Sequence, residues 1–503
     1  MQPASGQTDT EAAPRGGQRF AAVFLHWLRT DLYRRTESGP VGWRKILLAV
    51  AAVVVAIVIS LSRTIGPGSL NTVWIEDAKF LLNQGLNMPF WRALASPIST
   101  YYQEPARVFT AIAIHLFPLS WAPGVMAVFA AAEYAMYGLV AYIASGPYLR
   151  SRWLRLLIAA PVCAIPLAYT QVNNDLVTVQ FFGLYGAFWT CLWLPGTRAG
   201  KILSPLVMAT VSWTAVLSIG LFPLVVGRLI VDRSKNAWAL AILWASGVWL
   251  QMSETVLGES HHDEFGHNGL FYVLGNYIDR VVPRALFGER SLGGAGADYR
   301  GYYAPLHITN VDAHNALIVC AWVVVLLVVA LAAVRFTDPN WTLFGVAAVF
   351  SVGFFLEEMF INTSVVQPRY TVAPALLLYT ALAALLRPRL PAAAALPPPD
   401  AAGPRPDAAL ADDARPQPAR LEPARLEPAR LQATVRWLPA AGLAVLLLVA
   451  VTLNYRVTNG RTTSPAWTSV VASATSACAH SGVTGYTFVH EWWWVTIPCS
   501  RVG

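Results

Sequence analysis

The sequence predicts an all-α polytopic membrane protein with about eleven membrane-spanning helices, and its composition supports that prediction in two ways. Hydrophobic residues make up 55% of the 503 positions and charged residues only 13%, whereas soluble domains carry about 25% charged residues. So much apolar surface has to lie in a bilayer, where helices satisfy their own backbone hydrogen bonds. The 19 Trp and 18 Tyr suit anchoring at the membrane interfaces.

The basic residues indicate how the chain is oriented. A net charge of +8 is compatible with nucleic-acid binding, but the Lys and Arg residues form short clusters between apolar runs, which is typical of cytoplasmic loops facing anionic lipid. We therefore expect no nucleic-acid partner. Arg44 and Lys45 precede the first apolar run and predict a cytoplasmic N-terminal segment, residues 1–44. That run starts too far into the chain for a cleavable signal peptide, and no small-residue cleavage site follows it.

The spanning helices are predicted from apolar runs of sufficient length. The run at 202–230 is divided into two short helices that meet at Ser218 and Gly220, because this division returns the following basic residues to the cytoplasm. The predicted spans are 46–62, 121–145, 156–170, 180–195, the two helices within 202–230, 237–252, 313–334, 341–357, 370–386 and 437–453.

These spans divide the chain into segments. Residues 45–386 form the main transmembrane module, with long extracytoplasmic loops at 64–107 and 253–312. Residues 387–435 are rich in Pro, Ala and Arg and contain the repeat "PARLEPARLEPARLQ", so we predict a disordered cytoplasmic loop. A last helix at 436–453 leads to an extracytoplasmic tail, 454–503, in which Cys478 and Cys499 are the expected disulfide pair.

An acidic pair, Glu76 and Asp77, follows Trp74 at the start of the first long loop, where a short helix at 76–84 is predicted. Carboxylates favour the first turn of a helix, so a solvated helix start is the simplest interpretation. The position of the pair at the membrane surface, and the arginines in the later extracytoplasmic loops, also fit a reaction centre.

The order of several motifs resembles that of bacterial integral-membrane glycosyltransferases of the GT-C fold, which take a sugar from a polyprenyl-phosphate carrier at the outer membrane face. The motifs are "VWIEDAKFLLNQG", "YYQEPARVFTAIA", "YTQVNNDLVTVQFFGLYGAFW", "VLSIGLFPLVVGRL" and "QPRYTVAPALLL", and they cover most of residues 70–380. The resemblance implies a GT-C-like helical bundle with two long extracytoplasmic loops and a small extracytoplasmic tail. It implies an inverting transfer to an acceptor hydroxyl, in cell-envelope glycan or glycolipid synthesis.

The resemblance also implies roles for the acidic pair. One acid of the first loop is the catalytic base, which takes the proton of the acceptor hydroxyl as the new bond forms. We assign that role to Asp77, with Glu76 orienting the acceptor or raising the basicity of Asp77 by like-charge proximity. The reverse assignment is the alternative.

The lipid phosphate that leaves needs cations at the membrane surface, and arginine suits it because its planar fork makes bidentate hydrogen bonds. Arg369 is the first candidate and Arg107 the second, followed by Arg284 and Arg290 in the second long loop. The alternative for each is an interfacial arginine whose guanidinium reaches the lipid headgroups.

The predicted sugar- or acceptor-binding residues are polar or aromatic side chains near the outer ends of spans: Trp74, Asn173, Asn174, Gln180 and Tyr370. Helix capping and interhelical hydrogen bonds are the alternative for the amides, and an aromatic belt is the alternative for Tyr370. The segment "HHDEFGHNG" at 261–269 suggests a divalent cation. No second ligand cluster accompanies it, so we predict no metal ligands and no firm cofactor.

Two functional classes other than a glycosyltransferase are alternatives for this sequence. A lipid or glycolipid transporter or flippase is the main alternative, but it usually carries charged residues at mid-membrane depth, whereas these acids and arginines gather at the outer ends of spans. A structural subunit of an envelope complex is the third. The expected partners are the lipid-linked donor, the bilayer and a glycan, lipid or secreted acceptor. The expected location is the bacterial plasma membrane, with the active site facing outside.

Overall fold

The computed structural model is predominantly helical. It describes residues 16–36, 41–98, 101–167, 172–257, 269–290, 311–361, 367–389, 435–457, 460–490 and 493–502.

The helices are numbered in chain order. They are α1 (Gly16–Trp27), α2 (Trp43–Leu61), α3 (Asn83–Asn87), α4 (Phe90–Leu94), α5 (Glu104–Leu116), α6 (Ala122–Ala144), α7 (Arg152–Ala159), α8 (Pro161–Ala164), α9 (Val179–Leu192), α10 (Arg198–Ser212), α11 (Phe222–Val231), α12 (Lys235–Leu257), α13 (Leu270–Asn276), α14 (Val282–Phe287), α15 (Val311–Ala333), α16 (Trp341–Ile361), α17 (Val372–Leu385), α18 (Leu438–Leu453), α19 (Gly460–Thr463) and α20 (Trp467–Cys478).

Four helical segments of the described chain are long and apolar enough to cross a membrane, as expected of a membrane protein. They are Trp43–Leu61, Leu119–Ala144, Asn315–Ala333 and Trp341–Phe360. The shortest have 19 residues, which at about 1.5 Å per residue matches a hydrocarbon layer about 30 Å thick. Three apolar helices of the described chain are shorter: Val179–Leu192, Val216–Val231 and Leu438–Leu453. The count of about eleven spans therefore stays a prediction.

Two central helices form the core of the bundle. Every residue of α17 is buried, and so is every residue of α9 except Gln180, which is half-buried. Helix α9 packs against α6, and α17 packs against α16. The hydroxyls of Tyr185 and Thr380 meet at 3.1 Å between the two central helices. The candidate site lies at the amino-terminal ends of these helices, because the polar segments that precede α9 and α17 are brought together there.

Helix α9 and the preceding segment differ from the predicted spans. In place of a span at 156–170, the chain forms α7 and α8, which end at Ala164. Helix α9, predicted as the span 180–195, has 14 residues, about 21 Å in length. The lengths of these helices therefore differ from the predicted ones, and whether they cross the membrane stays a prediction.

The segment predicted as the loop 253–312 contains helix. Residues 270–287 run through α13, a π-helical turn at Tyr277–Val281 and α14 without a break. Val273, Val281 and Leu286 are buried against the bundle.

The C-terminal tail contains a two-stranded β-sheet, so the fold is not purely α-helical. After α19 and α20, strands β1 (Gly485–His490) and β2 (Trp493–Pro498) pair antiparallel, with Gly485 opposite Pro498. The predicted disulfide between Cys478 and Cys499 is confirmed, with the two Cα atoms 5.4 Å apart. It joins the end of α20 to the residue that follows β2.

Candidate active site

The acidic pair lies at the beginning of a π-helical turn, Asp77–Leu82, which continues into α3. The turn begins as the Ala78 N–H donates to the Trp74 carbonyl at 2.8 Å. Adjacent helical residues project about 100° apart, so the two carboxyl groups face different surroundings. Asp77 is buried, with 2% of its surface exposed, whereas the Glu76 side chain keeps 22% exposed.

Glu76 pairs with Arg369, which comes from the turn Pro368–Thr371 just before α17. Arg369 Nη1 donates to Glu76 Oε1 at 3.1 Å across 293 residues of chain. The guanidinium carbon lies 6.0 Å from the ring centre of Phe181 and 5.7 Å from that of Tyr370. Glu76 Oε2 is buried and has no hydrogen-bond partner within the described residues. One oxygen of Glu76 is thus anchored to a cation, and the other has its acceptor positions open.

Asp77 is held by the segment that precedes α9. The backbone N–H groups of Leu176 and Val177 donate to its Oδ2 and Oδ1 at 3.1 and 3.2 Å. Arg461, from the tail, places Nη2 3.9 Å from Asp77 Oδ2 and donates to the Asn174 carbonyl at 2.9 Å. Both oxygens of Asp77 are therefore occupied, and the side chain is enclosed by protein.

A third carboxyl group, Asp175, adjoins Asp77. It is fully buried, and neither of its oxygens has a hydrogen-bond partner in the part of the chain that the structure describes. Burial, and then the neighbouring Asp77 carboxylate, raise the pKa of Asp175 well above its usual value. Two adjacent carboxyl groups in a buried site cannot both ionise, so the pair retains one proton and one negative charge. Arg461 supplies the positive charge that faces them.

The predicted amide ligands hold the segment 172–178 in place. Asn174 has a left-handed φ of 54°, a conformation that asparagine tolerates better than most residues. Its Oδ1 accepts from the Ser60 hydroxyl at 2.6 Å, and its Nδ2 donates to the Ser60 carbonyl at 3.0 Å. Asn173 Nδ2 donates to the Thr64 hydroxyl. These bonds fix the segment to the carboxyl end of α2.

The remaining predicted sugar contacts differ in exposure. Gln180 is half-buried and donates to the Tyr101 hydroxyl at 3.4 Å. Tyr370 lies beside Arg369 with 5% of its surface exposed, and Trp74 has 7% exposed. Tyr101 is half-buried as well, so both it and Gln180 are open enough to meet a ligand near the Glu76–Arg369 pair.

Arg107 lies close to the acid site, on α5. Gln103, the residue immediately before α5, donates to the Val177 carbonyl at 2.9 Å, so Arg107, four residues later, is roughly 6 Å further along the helix axis. Only 4% of Arg107 is exposed, and its Nε and Nη2 have no hydrogen-bond partner among the described residues. Burial raises the pKa of Glu104 to about 7 and lowers that of Arg107 to about 10. Arg107 faces a narrow cleft that Leu81, Leu94 and His115 also line.

Arg284 and Arg290 are placed differently. Burial lowers the pKa of Arg284 to about 10, and the nearby Glu289 opposes that shift. Arg290 Nη1 donates to the Leu453 carbonyl at 3.3 Å, and its backbone N–H donates to Asn454 Oδ1 at 2.8 Å. These bonds cap the carboxyl end of α18, where the helix has unpaired carbonyl groups.

Sequence reasoning did not single out Asp175 or Arg461. Asp175 stands in the quoted motif "YTQVNNDLVTVQFFGLYGAFW" and Arg461 in the tail, but neither has a local pattern that marks it. Within the described residues, no group of three or more His, Cys, Asp or Glu is placed to hold a metal ion. The side chains of the segment 261–269 that could bind a cation all lie outside the described residues: His261, His262, Asp263, Glu264 and His267.

Comparisons of the chain with protein-family models, with curated proteins and with solved structures found no match.

Proposed function

We propose that this protein is an inverting glycosyltransferase that moves a sugar from a polyprenyl-phosphate carrier to an acceptor hydroxyl. The observation that carries the proposal is the ion pair between Glu76 and Arg369. A carboxylate from the first long loop and a guanidinium from a much later turn share one partly open site, and the chemistry of this transfer needs one of each.

Glu76 is the better candidate for the base. In the proposed step the acceptor oxygen bonds to the anomeric carbon, the bond from that carbon to the phosphate oxygen breaks, and the acceptor proton passes to a carboxylate. Glu76 Oε2 has no hydrogen-bond partner in the described chain. Both oxygens of Asp77 already accept backbone N–H groups. We therefore assign the base to Glu76, which was the alternative in the sequence analysis, and Asp77 is a residue that positions the turn.

The departing polyprenyl phosphate is assigned to Arg369 and Arg107. Arg369 is already beside the acid, and two nitrogens of Arg107 have no hydrogen-bond partner in the described chain. Burial lowers the pKa of Arg107 in spite of the nearby Glu104, and a phosphate dianion would offset the cost of burying this guanidinium. Arg290 drops out of this role because it already caps α18. Arg284 drops out because it lies on α14, where its charged neighbours are Glu289 and Arg280 and not the acidic pair.

The site is proposed to face the outside of a bacterial plasma membrane. Arg44 and Lys45 lie at the amino end of α2, which favours a cytoplasmic start and an outer carboxyl end. Disulfides persist in oxidising compartments, so the bond between Cys478 and Cys499 favours an extracytoplasmic tail. The two arguments are independent and agree.

The proposal is tested with the purified protein in lipid nanodiscs, offered a panel of pentosyl and hexosyl polyprenyl phosphates with an envelope glycolipid extract as acceptor. We expect transfer of one labelled sugar, and a loss of at least about 100-fold in Glu76→Gln, the low end for general-base catalysis. We expect weaker donor binding in Arg369→Gln and Arg107→Gln. Asp279→Asn and Arg198→Gln are matched controls, since both residues are exposed.

Transfer by Glu76→Gln at the rate of the unaltered protein would refute the mechanism. Movement of lipid-linked sugar across a sealed vesicle, with no new glycosidic bond, would support the transporter alternative instead.

A further inference from the structure

The C-terminal tail is bound to the near side of the loop that carries the acidic pair. The Val457 N–H donates to the Arg63 carbonyl at 2.9 Å, just after α2. Eleven residues on, the Thr468 N–H donates to Asn71 Oδ1 at 3.0 Å, and Trp467 Nε1 donates to the Leu119 carbonyl at 2.8 Å. The tail therefore holds the chain that leads into the acidic pair.

The tail is also bound to the far side of the same loop. The Thr496 N–H of β2 donates to Asn83 Oδ1 at 2.9 Å, and Asn87 Nδ2 donates to the Thr496 carbonyl at 2.7 Å. The Lys79 ammonium lies 4.7 Å from the ring centre of Trp494, a cation–π distance. Strand β2 thus fixes the helical turn that begins at Asp77.

The disulfide makes these two attachments into one unit. Cys478 ends α20, which carries the contact to Asn71, and Cys499 follows β2, which carries the contacts to Asn83 and Asn87. A covalent bond between the two elements restricts how far they can separate. The loop segment 71–87 is therefore held at both ends by a single closed clamp.

Arg461 reaches the acid site from within this clamp. Only 2% of it is exposed, and it faces Asp77 while donating to the Asn174 carbonyl. Among the described residues, the titratable and charged groups that interact with the carboxyl pair from the surrounding elements include Glu76, Tyr134 and Arg461. Of these only Arg461 is a cation, so it compensates the one negative charge of the pair.

We propose that Arg461 is a positioning residue of the acid site, and that the disulfide-closed tail is the clamp that holds Glu76 against Arg369. This inference rests on the proposed function for its catalytic consequence, but the positioning itself is independent of any substrate. Arg461 touches neither reacting atom in this scheme. It fixes the charge balance and the backbone around Asp77, and Asp77 fixes the turn from which Glu76 projects.

The test measures amide hydrogen exchange in peptides covering residues 74–87, beside sugar transfer. In Arg461→Gln, and in Cys478→Ser combined with Cys499→Ser, we expect exchange in this segment to rise at least tenfold. We expect Arg461→Lys to restore most of the protection because it keeps the charge. Arg456→Gln is the matched control, since Arg456 is an exposed residue of the same tail that donates to the Ser62 carbonyl.

Kinetics separate positioning from substrate binding. We expect Arg461→Gln to lower kcat with little change in KM for the donor, because the base is displaced and the phosphate site is untouched. If Arg461→Gln fails to fold, Arg461→Gln combined with Asp77→Asn removes the uncompensated charge, and the same rise in exchange is expected there.

Unchanged exchange over 74–87 in both the arginine and the cysteine variants overturns the inference, whatever the transfer assay gives. Raised exchange in a protein that transfers no sugar from any donor leaves the clamp in place and removes the proposed function.

Discussion

Replacing Asp77 and Asp175, singly and together, tests the charge balance on which the acid site depends. Asp175 is the protonated member of the pair, since its pKa is raised well above its usual value by burial and by Asp77. Asparagine is nearly isosteric with a neutral carboxyl group. We therefore expect Asp175→Asn to change the free energy of unfolding by less than about 1 kcal/mol.

Asp77→Asn has a larger expected cost with a specific origin. Both Asp77 oxygens accept backbone N–H groups, and asparagine must turn its NH₂ toward one of these donors. A buried N–H without an acceptor costs about 1–3 kcal/mol. Burial is the largest cause of the raised pKa of Asp175 and the Asp77 charge the second, so Asp77→Asn lowers the pKa of Asp175 and leaves Asp175 as the carboxyl group that can pair with Arg461. The expected loss is about 2 kcal/mol.

The double variant removes both of the carboxyl groups, Asp77 and Asp175, that face the buried Arg461. Breaking a buried ion pair in this way costs about 3–5 kcal/mol, so the double variant should lose about 5 kcal/mol or more. That exceeds the sum of the single losses by roughly 2 kcal/mol, a coupling that independent sites do not show. Transfer activity should follow stability in this series, while Glu76→Gln loses activity and stays folded.

The assay is equilibrium unfolding in mixed micelles at neutral pH, followed by the fluorescence of the 19 tryptophans. Additivity of the two single substitutions within about 0.5 kcal/mol would contradict the shared-proton arrangement. So would an Asp175→Asn protein less stable than Asp77→Asn.

Three other substitutions have expected outcomes of their own. Because the pKa of Asp175 is raised in the folded state, folding binds a proton. The free energy of unfolding should therefore fall as the pH rises above about 4 toward that pKa, by up to about 1.4 kcal/mol per pH unit. Unfolding midpoints measured across this range should depend less on pH in Asp175→Asn, and an unchanged pH dependence refutes the assignment of the proton to Asp175. Gly288 has a φ of +83°, and a Cβ there would lie 1.9 Å from Asn454 Nδ2. Gly288→Ala should therefore lower the free energy of unfolding by about 2 kcal/mol or more. Gly269 has open space around it, so Gly269→Ala should be neutral in the same unfolding assay. Asn174→Ala should be about 1 kcal/mol less stable than Asn174→Gly, because both lose the side-chain bonds but only alanine strains the φ of 54°; equal stability would show that the left-handed backbone is not retained.

Local features that depend on neighbouring residues were predictable from the sequence. The span predicted at 121–145 corresponds to Ala122–Ala144, and the helix predicted at 76–84 lies within the helical residues 75–87. The break near Ser218 and Gly220 is present as a short 3₁₀ segment, Val216–Leu221. Each has a local cause, a long apolar run or a pair of small residues, so one stretch of sequence contains the information.

Features set by tertiary packing were not predictable. Nothing in the sequence around Arg461 distinguishes it from the exposed Arg456, five residues earlier. The difference arises because the tail folds back over the first loop and buries one guanidinium beside Asp77. For the same reason the sequence could locate Glu76 and Asp77 but not decide between them, because their burial is set by the segment 172–178, about a hundred residues away.

The arginines expected on the outer side illustrate how structure narrows a functional hypothesis. Arg63 Nε donates to the Tyr455 carbonyl, Arg290 to the Leu453 carbonyl and Arg456 to the Ser62 carbonyl. These carbonyls lie at or just after the carboxyl ends of α2 and α18, which carry partial negative charge and unpaired acceptors. The three arginines expected on the outer side thus have a structural reason for their positions. A phosphate-binding role then rests on Arg369 and Arg107, the two whose substitution should weaken donor binding without uncapping a helix.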